Sequence, residues 1–192
     1  AKTVNLSNYN DFYIARLKWT NDANIVSVQV LNRHQDNLDL LFIDGNTGAK
    51  KVVLNEKDKA YVDVTDNLTF LKDNSFIWTS EKDGFNHIYQ YDKTGKLKNQ
   101  ITKGNWEVTS YYGFDEKTGT IYYQSVENGS INRDVYSIKL NGSGKTRLTS
   151  AIGTNAATFS PNFQYFINSY SSAKNAPKYT LNDSKTGKTI KT

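Results

Sequence analysis

The sequence predicts an all-β protein made of β-propeller blades, about four of them, each with four antiparallel strands. Three observations carry this. A block of similar order recurs four times in the 192 residues, opened by Trp19-Thr20-Asn21-Asp22, Phe70-Leu71-Lys72-Asp73, Phe114-Asp115-Glu116-Lys117 and Phe159-Ser160-Pro161-Asn162. Hairpin signals keep pace with the openers: Asp44-Gly45-Asn46-Thr47-Gly48, Asp92-Lys93-Thr94-Gly95, Asn141-Gly142-Ser143-Gly144 and Asp183-Ser184-Lys185-Thr186-Gly187. The 13 Tyr, 9 Phe and 3 Trp, with Val, Ile and Thr, suit pleated surfaces better than helices. A period of roughly 40–50 residues holding four short strands is that of a propeller blade.

Taken in order, the first block predicts strands at Phe12–Lys18, Ile25–Leu31, Leu38–Ile43 and Lys50–Leu54. Its alternation is visible in Ile25-Val26-Ser27-Val28-Gln29-Val30-Leu31. Asp44-Gly45 then supplies residues that tolerate positive φ in a tight hairpin. The second block predicts Leu68–Leu71, Ser75–Thr79, His87–Tyr91 and Leu97–Ile101. The third predicts Thr109–Phe114, Thr120–Gln124, Asp134–Leu140 and Lys145–Leu148. The fourth predicts Ala156–Phe159, Tyr165–Ser169, Lys178–Leu181 and Lys188–Ile190. The blades then fall at about residues 10–55, 60–104, 105–150 and 151–192 of one domain.

The segment Asn55–Asn67 breaks the period and reads as an extended crossover, because it lacks Gly, Pro and Ser. Only Pro161 and Pro177 occur in the chain, so no flexible linker is expected. Each opening aromatic is expected to fill the wedge between neighbouring blades, a burial worth roughly 1.5–3 kcal/mol.

Composition excludes several kinds of chemistry. With no cysteine, disulfides, Cys-ligated zinc and thiol catalysis are ruled out. The absence of methionine and the start at Ala1 predict a piece of a longer chain. No run approaches the roughly 18 apolar residues of a membrane span, and no signal peptide is read. The net charge of +5 comes from lysines on or beside the hairpins, which reads as solvated edges that discourage edge pairing. No basic-aromatic interleaving of an RNA-binding type accompanies it, so no nucleic-acid partner is expected.

The two histidines, His34 and His87, are too few for a metal centre. His34 lies in the polar run Asn32-Arg33-His34-Gln35-Asp36-Asn37, an exposed connection, whereas His87 opens a strand and reads as a hydrogen-bonded blade residue. No Gly-x-Ser-x-Gly elbow is present, and Gly142-Ser143-Gly144 is a hairpin tip. No phosphate loop or calcium loop is found. We therefore expect no catalytic residue, no metal and no cofactor in this chain.

The second block is the most specific part of the sequence. Phe76-Ile77-Trp78-Thr79-Ser80-Glu81-Lys82-Asp83-Gly84-Phe85-Asn86-His87-Ile88-Tyr89 resembles the Ser-Glu-x-Asp-Gly-[aromatic]-x-His-[aliphatic]-Tyr run of the dipeptidyl peptidase IV family. It is followed by Ile101-Thr102-Lys103-Gly104-Asn105-Trp106-Glu107-Val108, similar to the family's Thr-Lys-Gly-x-Trp-x-Val run. Looser similarity extends through Leu17-Lys18-Trp19 and Val28–His34, through Ile121-Tyr122-Tyr123 and Asp134-Val135-Tyr136, and through Phe159-Ser160-Pro161.

The resemblance implies serine exopeptidases that remove dipeptides, and an eight-bladed propeller ahead of an α/β-hydrolase domain. The chain would be the C-terminal half of that propeller, without the hydrolase domain. The family's paired glutamates belong to an earlier blade, and no Glu-Glu pair occurs here. The resemblance also implies Tyr61, Asp63 and Thr65 as candidate substrate-binding residues of an extended subsite. His87, Tyr89, Trp78 and Trp106 are expected to be packing residues.

On this reading the chain gates peptide substrates above a hydrolase it does not contain, in an exported bacterial enzyme of the periplasm or cell envelope. Its partners would be peptides, the hydrolase domain and the earlier blades. Four blades of eight would leave two open flanks, which predicts self-association into a dimer. The rival reading is a stand-alone β-propeller or β-sandwich binding module for a protein or glycan.

Overall fold

The computed structural model describes residues 3–192, whose regular elements are all strands. They form four four-stranded sheets in which sequence neighbours are sheet neighbours. The first sheet holds β1 (Phe12–Trp19), β2 (Ile25–Asn32), β3 (Asn37–Asp44) and β4 (Lys50–Lys57). The second holds β5 (Thr69–Phe70), β6 (Phe76–Ser80), β7 (His87–Tyr91) and β8 (Leu97–Gln100). The third holds β9 (Val108–Asp115), β10 (Thr120–Ser125), β11 (Asp134–Lys139) and β12 (Thr146–Arg147). The fourth holds β13 (Thr154–Phe159), β14 (Tyr165–Ser172), β15 (Asn175–Asp183) and β16 (Thr189–Lys191). Among the described residues no helix is long and apolar enough to cross a membrane.

The burial along each strand explains the sequence pattern. β2, β6, β7, β10 and β11 are covered on both faces, so polar residues such as Ser27, Gln29, Gln90 and Ser137 are enclosed with the apolar ones. Outer strands such as β8, β12 and β16 are short and mostly polar, which blunts a free edge. One turn device closes all four outer hairpins. Asp44 Oδ1 accepts the Asn46 and Thr47 N–H groups, and Asp92 Oδ1 accepts those of Thr94 and Lys96. Asn141 Oδ1 accepts the Ser143 N–H and Asp183 Oδ1 that of Thr186. A side-chain acceptor that mimics a backbone turn is the physical reason for Asp or Asn at that place in every block.

The chain makes two compact units. The first comprises the residues up to Lys82 together with Gln90–Lys98, and the second Asp83–Tyr89 with Asn99–Thr192. In the first unit Val28, Val30, Leu41 and Ile43 form a core against which Val4, Leu6, Tyr9 and Phe12 pack. In the second, Tyr122, Val135, Leu148 and Phe166 form a core joined by Tyr112, Phe159 and Phe163.

Two expectations from the sequence are corrected. Within this chain Trp19 fills no wedge: it is 64% exposed, because it ends β1 on a face where Ile14 and Leu17 are bare as well. The other openers fare differently. Phe70 packs at 5.8 Å from the Phe42 ring, Phe159 lies 4.6 Å from that of Tyr122, and Phe114 is half-buried. The crossover also starts later than Asn55. β4 continues to Lys57, which pairs with Asn37, and the Asn55 amide holds Asn37 and Asp39 of β3.

Candidate functional site

The sharpest sequence runs fold into one hydrogen-bonded unit. His87 at the start of β7 is fully buried. Its Nε2–H donates to the Gly104 carbonyl at 3.0 Å, which can only accept, so Nδ1 accepts the Thr102 hydroxyl at 3.1 Å. Thr102 Oγ1 in turn accepts the Ile88 N–H at 2.9 Å. The neighbouring Asn86 exchanges two bonds with Val108, its carbonyl accepting the Val108 N–H and its amide donating to the Val108 carbonyl. Both ring nitrogens are thus engaged within the unit.

Trp106 completes the unit. Its ring meets His87 edge-on at 4.9 Å and lies parallel to Tyr123 of β10 at 6.4 Å. A Cβ on Gly104 would stand 2.3 Å from Trp106 Nε1, so the indole occupies the space that any side chain there would need. Gly104 also has φ +139, a conformation that L side chains rarely adopt. The Thr-x-Gly-x-Trp spacing is therefore a packing requirement. Beyond it, Tyr123 stacks on Tyr136 at 5.5 Å, and the buried Asp134 accepts from Arg147 at 2.8 Å and from Asn128 at 3.0 Å.

In the first unit the structure assembles a polar group that the sequence did not single out. Glu56 on β4 accepts the Trp78 indole N–H at 3.1 Å, and Trp78 is only 1% exposed. Lys82 donates to the Tyr91 hydroxyl at 2.7 Å, and Tyr91 stacks on Phe76 at 5.4 Å. Burial pushes the Glu56 carboxyl up, against hydrogen bonds from Ser80 and Trp78 and the attraction of Lys82, while Glu81 adds a further push. In the sequence Glu56 falls within the segment read as crossover, Asn55–Asn67. Only the strand extension to Lys57 turns it inward.

A folded-state pKa raised above the unfolded value means that Glu56 adds stability when protonated, and that this is lost as the pH rises through the raised pKa. Glu56→Gln keeps an oxygen acceptor for Trp78 and removes the charge. It is expected to gain stability relative to the parent as the pH goes from acid to neutral. Melting curves across that range check it, and a difference independent of pH would exclude a buried carboxylate.

The three residues implied as substrate contacts part company. Tyr61 and Asp63 are exposed on the crossover, free to meet a ligand. Thr65 is buried, its hydroxyl 2.7 Å from that of Thr79 and its carbonyl accepting from Gln29 at 2.9 Å. It anchors the crossover to β2 and β6. His34 lies exposed in the turn after β2. Ser143 donates to Asn141 inside its own hairpin at 2.7 Å. Among the described residues no three His, Asp or Glu side chains gather where they could hold a metal.

Four-stranded antiparallel sheets repeated along the chain, each closed by the same turn device, define the blades of a β-propeller. The family model described as the dipeptidyl peptidase IV N-terminal region matches residues 1–177. The chain belongs to that family. It is 40% identical to dipeptidyl peptidase 4 of Porphyromonas gingivalis, whose crystal structure it matches with a TM-score of 0.91 over 99% of this chain and 27% of that one. It is 29% identical over 188 residues to dipeptidyl peptidase 4 of Trichophyton equinum, covering 93% of this chain and 24% of that protein. Dipeptidyl peptidase 4 of Arthroderma otae is 29% identical over 195 residues, covering 95% of this chain and 25% of that protein. The chain thus spans about a quarter of the length of the relatives it matches.

Proposed function

We propose that the chain is the non-catalytic C-terminal half of the propeller of an exported serine-type dipeptidyl peptidase, where it gates peptide access to a hydrolase domain. The observation that carries the reading is the 40% identity to dipeptidyl peptidase 4 of Porphyromonas gingivalis across nearly the whole chain. Exposed apolar faces on the first and fourth sheets support it. Leu17 and Trp19 on β1, and Ile167, Tyr179 and Ile190 of the fourth sheet, lie bare as residues that a neighbouring blade, or a second copy, would cover.

On this reading the crossover lies beside the peptide path, with Tyr61 and Asp63 as contacts and Thr65 as the anchor that holds them. The histidine of the signature is structural, so proton transfer and the nucleophile belong to the hydrolase. The isolated chain is expected to leave a Gly-Pro chromogenic dipeptide intact, whereas a longer product containing it cleaves the dipeptide and is stopped by a serine-directed inhibitor. Turnover by the isolated chain, or none by the longer product, would overturn the proposal.

A further inference from the structure

The hairpins β9–β10, β11–β12, β13–β14 and β15–β16 of the second unit gather around a cavity of ≈ 650 Å³. That volume falls among pockets that hold drug-sized ligands, about 300–1,000 Å³. The cavity lies at the Asp115 end of β9, the far end from Trp106, which precedes Val108. An eight-residue strand separates them, roughly 25 Å. It is therefore separate from the His87–Trp106 unit.

Three rings line it. Tyr122 and Phe163 stack at 5.3 Å with planes 6° apart, and Tyr165 is 45% exposed beside them. Phe163 holds φ 53, a left-handed conformation unfavourable for a bulky side chain. The corresponding hairpin of the second sheet makes the same four-residue turn, Asn74 N–H to Leu71 carbonyl, with Asn74 at φ 60. Asn is the ordinary residue for that conformation. The fourth sheet instead places an aromatic ring there, at a conformational cost offset by its packing on Tyr122 and Phe159 at the edge of the core.

The polar lining sorts the ligand. Ser184 lines the cavity, is 1% exposed, and its Oγ has no hydrogen-bond partner. A buried hydroxyl without a partner costs free energy until something supplies one. Thr118, Thr146, Asn162 and Gln164 add hydroxyls and amides. The charges nearly balance: Lys117, Lys139 and Lys185 stand against Asp115 and Asp183. Lys139 is already committed, donating to the Thr118 carbonyl and to Thr120 Oγ1 at 2.8 Å each. Thr118, Thr146 and Asn162 already bond within their own hairpins, so an apolar ligand would leave the Ser184 hydroxyl unpaired, and a polyanion would meet the two carboxylates. A ligand with a C–H face for the exposed Tyr165 ring, and hydroxyls that both donate and accept for Ser184, fits this lining.

We propose that this cavity is a binding site for a neutral saccharide of two or three units. The test is titration of the isotope-labelled chain with chitobiose and with cellobiose, followed by amide NMR shifts, with inorganic phosphate as the anion control. One of the two sugars is expected to give saturable shifts confined to residues 115–120, 137–146, 160–165 and 183–187, and phosphate none there. Tyr165→Ser should weaken that sugar about fivefold or more, the share of one aromatic contact. Its melting temperature should not move, because the ring is on the rim. Saturable shifts from neither sugar, shifts lying elsewhere, the same shifts with phosphate, or parent-like affinity in Tyr165→Ser would each overturn the proposal.

Discussion

Gly95→Ala is expected to be the most damaging conservative change in the chain. A Cβ at this position would stand 1.5 Å from the Val53 carbonyl oxygen and 2.5 Å from its carbon, and both are backbone atoms. No rotamer relieves such an overlap, so either β4 or the hairpin after β7 must move. The residue also has φ +89, which adds strain for any L side chain. We expect a loss of about 3–5 kcal/mol, within reach of the whole stability of a domain. Gly84→Ala is the control. It shares the positive φ, at +97, but meets nothing within 4 Å. Its cost should be the strain alone, about 1–2 kcal/mol. Urea midpoints of the two variants separate contact from strain, and equal losses would show that the Val53 approach is not what requires glycine.

The same approach recurs in the second unit, where a Cβ on Gly187 would meet the Leu148 carbonyl at 2.3 Å. Sequence reading placed both glycines in hairpins for their turn geometry. That is half of the reason. The other half is a tertiary contact between the hairpin and the outer chain of the preceding sheet. Nothing local encodes that contact, though its recurrence in step with the blocks could have suggested it.

Legibility followed the range of the forces. The inner strands were readable because β2, β3, β6, β7, β10 and β11 are rich in the β-branched, aliphatic and aromatic residues that their burial requires. The turns were readable because Asp44, Asp92, Asn141 and Asp183 act within their own hairpins. Trp19 was misread because an aromatic opener has the same appearance whether or not a blade lies over it. Glu56 and the hairpin cavity were invisible for a related reason. A carboxylate turned inward by one extra ladder pair, and hydroxyls converging from four hairpins, leave no periodic trace. Thr65 and Tyr61 are two alternating residues of one crossover, and only burial tells the anchor from the exposed ring.

Trp78→Ala is the second large loss expected. The indole is 1% exposed in β6, between Ile77 and Thr79, which are buried as well. Removing a buried ring of this size costs about 3–5 kcal/mol through lost contacts and the cavity left behind. Part of the loss is electrostatic, because the indole N–H is a donor to the Glu56 carboxyl. Trp78→Phe isolates that part. It keeps most of the volume while leaving Glu56 with one donor fewer, which should cost about 1–3 kcal/mol. The cost should be greatest at neutral pH, where the carboxylate is charged, and should shrink in acid once Glu56 is protonated. Combining Trp78→Phe with Glu56→Gln should then recover much of the difference, since the desolvated charge has gone. Chemical denaturation of the four proteins at acid and neutral pH tests this. If the two substitutions add without coupling at neutral pH, the indole is only filling space and Glu56 draws its support from Ser80 and Lys82 alone.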